Sequence, residues 1–447
     1  GDTVGTEFQV NTVTVGSQEQ PVIAMDSAHG DFVVVWQGPD ASNRGIFAQR
    51  FSADATVAGS EFAVNTFTYL DQVSPTVAMN STGQFVVGWV SDHRVAFDPA
   101  DAEKSIFMQW FDADGAAAGD EQLAHSIDPA AEAQEYPAVA INDDGDFVAV
   151  WQSITQDGSA WGVYGRQFLA DKTPVQPMEF LINQTTAENQ RHAGVAADSS
   201  GNFVVTWQSD LQDQSATAIL SRQYAAYGTP LTDESLVNTW EMGPQVLPVV
   251  AMTPTGDFGI FWTGQGTSRS EGIHGRIYEE GYAPPAPHLQ TGPLGDQQLV
   301  AQTGGLETNA PAVAVIESSG SYVAAWASFE QPGGDELGQG IYAQKFLTDG
   351  SPDGDAILVN SGYVLDDQNA PAIAADAAGN FVVVWESLNQ DGDGFGVFAQ
   401  RYDASGSPVG GMFQVNDYTS GDQRAPSVAM DNAGDFVIAW QSYGQDG

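Results

Sequence analysis

The sequence predicts an all-β fold, a β-propeller of four-stranded blades, from three observations. A hairpin of one pattern recurs eight times along the 447 residues. The tryptophan that closes each hairpin lies 53 to 64 residues before the next one. The strand between Phe32 and Trp36 is apolar at every position, and its repeats are similar. Because a strand that is apolar on both faces is buried on both faces, each sheet is expected to lie between two neighbouring blades.

The hairpin begins each repeat and has three fixed positions. A glycine is followed two residues later by an aromatic residue and four residues after that by the tryptophan. The glycine suits a turn that needs a positive φ. The tryptophans are Trp36, Trp89, Trp151, Trp207, Trp262, Trp326, Trp385 and Trp440.

Four strands are predicted in each repeat, in a constant order. The first usually opens on a proline, which at that position loses no essential hydrogen-bond donor. The second is the apolar strand, and the third has the form IFAQRF and ends in an aromatic residue. The fourth has the form EFQVN, and a further copy stands at residues 7–11, before the first hairpin. No segment shows a convincing helical period.

We therefore expect residues 1–447 to form a single propeller, most simply of eight blades closed by the N-terminal strand. Seven blades plus an overhang is the alternative. A linear array of sandwiches would give the second strand a polar face, which it lacks. The predicted repeats are roughly 12–65, 66–125, 126–183, 184–238, 239–301, 302–360, 361–416, and 417–447 completed by 1–11.

Charge restricts the partners that the protein can have. With 13 Lys and Arg against 58 Asp and Glu, the net charge is −45. Such a surface repels phosphate backbones and anionic lipid, so nucleic acid and membrane surfaces are not expected partners. Cations and neutral ligands are expected instead. There is no cysteine, and no apolar run approaches the ~20 residues of a membrane helix. The first residues do not form a signal peptide, so a mature or excised segment is expected.

The repeat resembles one that is common in large secreted bacterial surface proteins, which often carry RTX-type calcium-binding or cadherin-like modules. Residues 396–416 and 413–447 carry this resemblance, which extends over essentially the whole chain. The hairpin is also loosely similar to the FG-GAP repeats of integrin-type propellers, although it lacks their D-x-D-x-D-G loop. The resemblance implies a secreted or cell-surface protein, a calcium-rich setting and a role in adhesion or surface structure.

Calcium is the predicted cofactor, and its candidate ligands lie in the loops after the second strand. Ca²⁺ takes six to eight oxygen ligands, and Gly-rich loops can wrap carboxylates and carbonyls around it. The alternative is a polar turn at the blade tip. The candidate residues are Asp157, Asp391, Asp393 and Asp446.

Ligand binding is predicted where the repeat pattern breaks. Glu135 with Tyr136, and Arg191 with His192, stand near the start of a first strand, a position that opens on the channel of a propeller. Such mouths commonly hold ligands. Trp161, in a Gly-rich tip loop, is a further candidate for stacking on a sugar, or else a loop anchor.

Other positions at which one residue type recurs from repeat to repeat are expected to be structural. Six of the 13 basic residues stand in third strands, where we expect them to bond acidic or carbonyl groups of their own or the next blade. The glutamine after the tryptophan is expected to form a hydrogen bond at the strand end. His274 is expected to replace a packed aromatic residue.

Eight similar blades without a convergent catalytic constellation predict a non-enzymatic protein. The expected function is adhesion or extracellular assembly, and the partners are surface glycans or other extracellular protein modules, with self-association through the incomplete last blade as a further option. A glycan-binding lectin is the first alternative. A polysaccharide-cleaving enzyme is the second, since carboxylates are abundant.

Overall fold

The computed structural model describes residues 6–92, 104–126, 133–213, 216–239, 243–265, 271–279, 297–302, 311–329 and 338–445. It confirms the predicted all-β propeller of four-stranded antiparallel blades. Seven sheets have four strands and one has two. Within the described residues, the helical structure is a single 3-10 turn at Ala226–Gly228, and no helix is long and apolar enough to cross a membrane.

The strands follow one another along the chain, sheet by sheet. Blades one and two contain β1 (Glu19–Met25), β2 (Phe32–Pro39), β3 (Arg44–Phe51), β4 (Phe62–Ala63), β5 (Gln72–Met79), β6 (Phe85–Ser91), β7 (Ser105–Phe111) and β8 (Gln122–Leu123). Blades three and four contain β9 (Gln134–Ile141), β10 (Phe147–Ile154), β11 (Trp161–Phe168), β12 (Phe180–Leu181), β13 (Gln190–Ala197), β14 (Phe203–Asp210), β15 (Thr217–Tyr224) and β16 (Ser235–Leu236). Blades five and six contain β17 (Gln245–Met252), β18 (Phe258–Gln265), β19 (Glu271–Tyr278), β20 (Gln298–Gln302), β21 (Ala312–Ile316), β22 (Ser321–Phe329), β23 (Gln339–Phe346) and β24 (Ile357–Leu358). Blade seven and the eighth sheet contain β25 (Gln368–Ala375), β26 (Phe381–Leu388), β27 (Phe395–Tyr402), β28 (Phe413–Gln414), β29 (Gln423–Met430) and β30 (Phe436–Ser442).

The first strands of the sheets form a closed ring around the axis. Each contacts the first strand of the next sheet, and β29 contacts both β25 and β1. Seven sheets are complete four-stranded blades, the number that the alternative prediction gives, and the two-stranded sheet β29–β30 that follows them lies in the same ring, between β25 and β1.

Alternate residues of each second strand pack on opposite neighbours, which explains why the strand is apolar throughout. In β2, Val33 and Val35 belong to one core cluster with Phe85 and Trp89 of blade two. Phe32, Val34 and Trp36 belong to another cluster with Ala439 of the eighth sheet. The hydrophobic core is therefore a series of layers between blades, and truncating a fully buried tryptophan there to alanine costs about 3–5 kcal/mol.

The basic residues of the third strands connect neighbouring blades, as the sequence predicts. The guanidinium of Arg222 donates to the backbone oxygen of Ile182 at 2.9 Å, and that of Arg276 to the oxygen of Val237 at 2.7 Å. Both acceptors lie in the preceding blade. Lys345 instead donates to the oxygen of Ala404 in the following blade at 2.6 Å. Each of these three cations therefore binds a backbone carbonyl group of an adjacent blade.

The eighth sheet differs from the others in its burial. Most residues of β30 are only half-buried, whereas nearly every residue of the other second strands is buried. Beyond β30, residues 7–11 make the contacts of a fourth strand. Phe8 packs on Phe51 of blade one with ring centroids 5.2 Å apart, as Phe62 packs on Phe111 at 5.2 Å. A groove of about 1830 Å³ lies between β30 and this segment.

Candidate functional site

The mouth of the central channel is built by a bulge that recurs at the start of the first strands. In most sheets the register between the first and second strands shifts there by one residue, for example between Arg191 and Gly194. The residue within the bulge has a left-handed backbone, with φ between 48° and 55°, although none of these residues is glycine. Such a conformation costs on the order of 1–3 kcal/mol for each residue. The bulge residues are Gln20, Ser74, Tyr136, His192, Leu247, Ala370 and Ala425.

A hydrogen bond from the neighbouring blade stabilises many of these bulges. The amide N–H of His192 donates to Gln152 at 3.2 Å, and that of Leu247 donates to Gln208 at 3.4 Å. Both acceptors are the glutamine that follows the recurring tryptophan, so the predicted strand-end role is confirmed. In blade seven Glu386 replaces the glutamine and accepts from the N–H of Ala425 at 2.6 Å.

The mouth itself is a depression of about 610 Å³ with an apolar floor. Six of the bulge residues line it together with the prolines that follow most of them, such as Pro137 and Pro248. Tyr136, 54% exposed, packs edge-on against the ring of His192 with centroids 5.2 Å apart. The mouth therefore combines stacking surfaces with a small number of polar groups, a composition typical of ligand sites.

The structure brings two of the predicted ligand residues together and directs their neighbours into ion pairs. Tyr136 and His192 are in contact at the mouth. Glu135 binds Lys104 at 2.5 Å between its Oε1 and the lysine Nζ. Arg191 lies 3.4 Å from a carboxylate oxygen of Asp210. The Glu135–Lys104 pair joins blade three to blade two and the Arg191–Asp210 pair lies within blade four, so the charged members of the predicted set are largely neutralised.

Trp161 lies apart from this pair. It is the first residue of β11, opposite Ile154, on the same face of the propeller but two strands out from the axis. It is half-buried, which fits a loop anchor as well as a stacking platform.

Electrostatics at the mouth favour an uncharged imidazole. Burial lowers the pKa of His192, and the charge of Arg191 lowers it further. The pKa of Lys104 is raised, mainly by its hydrogen bond to Glu135. At neutral pH the mouth therefore presents a neutral histidine beside a tyrosine, and the nearest cations are held by carboxylates.

One cluster at the mouth was missed by the sequence analysis. The guanidinium of Arg424 lies 3.8 Å from the ring centroid of Phe395, and its Nε lies 3.1 Å from Asp422. Glu386 is 3.6 Å from the same guanidinium, and its pKa is raised, chiefly by burial. Arg424 stands where Arg191 stands in blade four, so the shared Gln-Arg pair that opens β13 and β29 was the available signal.

The predicted calcium ligands make turn contacts of their own. Asp157 accepts from Ser159 N at 3.1 Å and from Asn183 at 3.3 Å. Asp391 accepts from Asn416 at 2.9 Å. Asp393 accepts from Gly421 N at 3.1 Å. Asp446 lies outside the described residues. Across the described part of the chain, no three His, Asp or Glu side chains form a metal-binding group, so calcium stays a prediction that would also require carbonyl and water ligands.

Comparison with known proteins finds similar solved structures but no family. No family model and no curated protein matches the chain. Among solved structures, Sqt1 of Chaetomium thermophilum, bound to the N-terminus of a ribosomal protein, is similar at 11% identity and TM-score 0.47, over 95% of this chain and 94% of that one. The propeller domain of the Trilobed protease of Pyrococcus furiosus gives 11% and 0.45, over 90% and 96%. The α-L-arabinanase of Penicillium chrysogenum gives 13% and 0.41, over 71% and 93%.

The prediction that this protein is not an enzyme is corrected here, because several of the similar propeller structures are glycoside hydrolases, arabinanases among them, and the repeat architecture therefore does not exclude catalysis. That prediction rested on the symmetry of the repeats. Symmetry constrains the strands of the core, whereas a few loop residues are enough for catalysis, so a fold does not decide activity. With TM-scores below 0.5, the likeness transfers no activity and no substrate.

Proposed function

We propose that this protein is an extracellular propeller that binds an uncharged sugar polymer at the channel mouth, and so serves adhesion or assembly outside the cell. The exposed ring of Tyr136, held edge-on by His192 above a proline-lined floor, is the observation that carries the proposal. A sugar ring has an apolar C–H face and polar edges. Tyrosine suits such a ligand because it offers an apolar body and a polar tip.

Charge supports a neutral ligand over an anionic one. The net charge of −45 repels sulfated and uronic acid polymers. The imidazole of His192, with its lowered pKa, is neutral at pH 7 and can exchange hydrogen bonds with a hydroxyl group. Lys104 and Arg191 are paired with carboxylates, so neither offers a strong site for an anion.

Affinity electrophoresis through gels that contain neutral or sulfated polysaccharides tests this proposal. We expect retardation by a neutral polysaccharide, and about tenfold weaker retention for Tyr136→Ala, the size of effect that a lost aromatic contact near 1.4 kcal/mol gives. Tyr227→Ala is the matched control, because Tyr227 is equally exposed but lies in a turn on the opposite face. Equal retention of both variants, or retention by sulfated polymers alone, would refute the proposal.

The same samples show whether the bound polymer is cut. Release of reducing ends that Tyr136→Ala loses and Tyr227→Ala keeps would make the mouth a catalytic as well as a binding site. In that case Glu386→Gln tests whether Glu386 is the proton donor, because a carboxyl group with a raised pKa suits proton donation.

A further inference from the structure

We propose that a single neutral polysaccharide chain crosses the channel mouth and makes a second contact at Arg424, on the side of the ring opposite Tyr136 and His192. This inference rests on the proposed function, because it extends the same sugar-binding surface. The residues of this second contact, the Arg424 platform, are Glu386, Phe395, Asp422 and Arg424.

The order of the first strands places the Arg424 platform half a ring away from Tyr136. Around the axis, β9 and β13 are followed by β17, β21, β25 and β29, and β29 contacts β1. Among the eight first strands, β25 is therefore four steps from β9, which carries Tyr136, and β29 is four steps from β13, which carries His192. Phe395 belongs to blade seven and Arg424 to β29. The platform thus lies across the axis from the contact between Tyr136 and His192.

The two sides of the mouth share a residue pattern. A Gln-Arg pair opens both β13 and β29. An aromatic residue, Trp161 or Phe395, opens the third strand of the preceding blade. The loops before these aromatic residues, 155–160 and 389–394, are equally long and each contains Gln-Asp-Gly. The mouth therefore has an approximate two-fold symmetry in these features, which suits a polymer whose repeating units can use similar chemistry twice.

The guanidinium of Arg424 is held in place from three directions. It lies over the ring of Phe395, 3.8 Å from the ring centroid. Asp422 accepts a hydrogen bond from its Nε at 3.1 Å, and Glu386 lies 3.6 Å from its Nη1. Glu386 also accepts from the amide of Ala425, which lines the mouth. These contacts fix the guanidinium beside the mouth before a ligand arrives, which reduces the entropy that binding costs.

Arg424 remains accessible in this position. Its side chain is 39% exposed, and that of Arg191, at the equivalent position of blade four, is 34% exposed. The exposure therefore belongs to this position of the repeat. A guanidinium has five N–H donors in one plane, so Arg424 can donate to sugar hydroxyl groups while Asp422 and Glu386 hold it.

The charges of the platform favour a neutral sugar over an anionic one. Glu386 and Asp422 set two carboxylates against one guanidinium. This excess of negative charge repels an anionic polymer. Hydroxyl groups, in contrast, can donate to the carboxylates and accept from Arg424. The platform therefore prefers the class of ligand that we infer for Tyr136 and His192.

Isothermal titration calorimetry with fragments of three neutral polysaccharides, dextran, β-glucan and galactomannan, tests this inference on the full 447-residue chain. Fragments of about ten sugars can reach both contacts, whereas fragments of about two sugars can reach only one. For the wild type we expect at least about tenfold tighter binding of the long fragments, because the second contact then forms within one complex.

The variant Arg424→Lys should abolish this gain with length and leave the binding of short fragments unchanged. Lysine keeps a positive charge beside Glu386 and Asp422 but lacks the planar set of donors. The matched control is Arg44→Lys, which should keep the gain. Arg44 opens β3 on the same face and is 46% exposed, and its guanidinium lies 3.3 Å from a single carboxylate, that of Glu19.

Hydrogen exchange gives a second readout that does not depend on affinity. The amide of Phe395 donates to Asp422 at 3.0 Å. At saturation, long fragments should slow its exchange severalfold, because they cover the platform, and short fragments should leave it unchanged.

Two kinds of failure are distinguishable. Equal affinity for long and short fragments, or a gain with length that Arg424→Lys retains, would overturn this inference and leave sugar binding at Tyr136 intact. A wild type that binds no fragment of any length would refute the proposed function, and this inference with it.

Discussion

Blade seven and the eighth sheet carry nearly the same hairpin, yet their second strands differ in burial. β26 reads FVVVWES and β30 reads FVIAWQS over the same positions. β26 is buried at all seven positions, whereas β30 is mostly half-buried. The repeat therefore encodes a strand that can be covered on every side, and a covering third strand is needed to complete its burial.

The largest expected effect is a difference in stability between the two tryptophans. Trp385→Ala should lower the free energy of unfolding by about 3–5 kcal/mol, since Trp385 is fully buried between blades. Trp440→Ala should cost less than half as much, because Trp440 is half-buried. Urea unfolding followed by circular dichroism measures both. Equal losses would show that the eighth sheet is as well covered as blade seven.

The second effect is a pH dependence that separates blade five from blade seven. His274 stacks on Trp262, where blade seven has Phe398 on Trp385, and burial lowers the pKa of His274 to about 4. Between pH 6.5 and 4 the unfolded chain binds more protons at this histidine than the native state does, so stability falls as the pH falls.

The variant His274→Phe should remove that dependence. Between pH 7 and pH 4.5, wild type should lose about 2 kcal/mol more stability than the variant. Urea titrations at the two pH values measure the difference. Parallel pH profiles for the two proteins would contradict the buried, neutral histidine.

The third effect concerns the bonds that hold the bulges. Gln152→Ala leaves the amide of His192 without its acceptor and should cost about 1–2 kcal/mol. Gln441→Ala removes the equivalent bond to Gln20 in an exposed setting, where water replaces it, and should cost under about 0.5 kcal/mol. Amide hydrogen exchange of His192 should speed up in the first variant only. Unchanged exchange would mean that the bulge keeps its shape without this bond.

The smallest expected effect is calcium binding. If the loop with Asp391 and Asp393 binds Ca²⁺, millimolar Ca²⁺ should raise the melting temperature more than matched Mg²⁺ does, through preferential binding to the native state. The variant Asp393→Asn should lose that difference, whereas Asp435→Asn, in a turn on the opposite face, should keep it. Equal shifts with the two ions would count against a specific site.

The sequence predicted the features that every repeat shares. Strand order, the two-faced second strand, the third-strand cations and the aromatic role of His274 each follow from a residue type that recurs at one position. These contacts are made by the repeat with itself or with an identical neighbour, so the pattern contains both partners.

The left-handed bulges could not be predicted in the same way. A residue before proline normally favours extended backbone, and Tyr136 stands before Pro137. The bulge is stabilised by contacts with the adjacent blade, which local preference does not reveal. The contact between Arg424 and Phe395 was hidden for a related reason. Phe395 begins β27 of blade seven and Arg424 lies in β29 of the next sheet, so the contact joins two residues that are distant in sequence.

The residues in the bulges at the channel mouth can change independently of the core between the blades. Glutamine, serine, tyrosine, histidine, leucine and alanine all occupy this one position and all face the depression. Because the inter-blade layers do not depend on which of these side chains is present, the ring could be diversified as a combinatorial library while the scaffold keeps its shape. New specificities could then be selected from one framework.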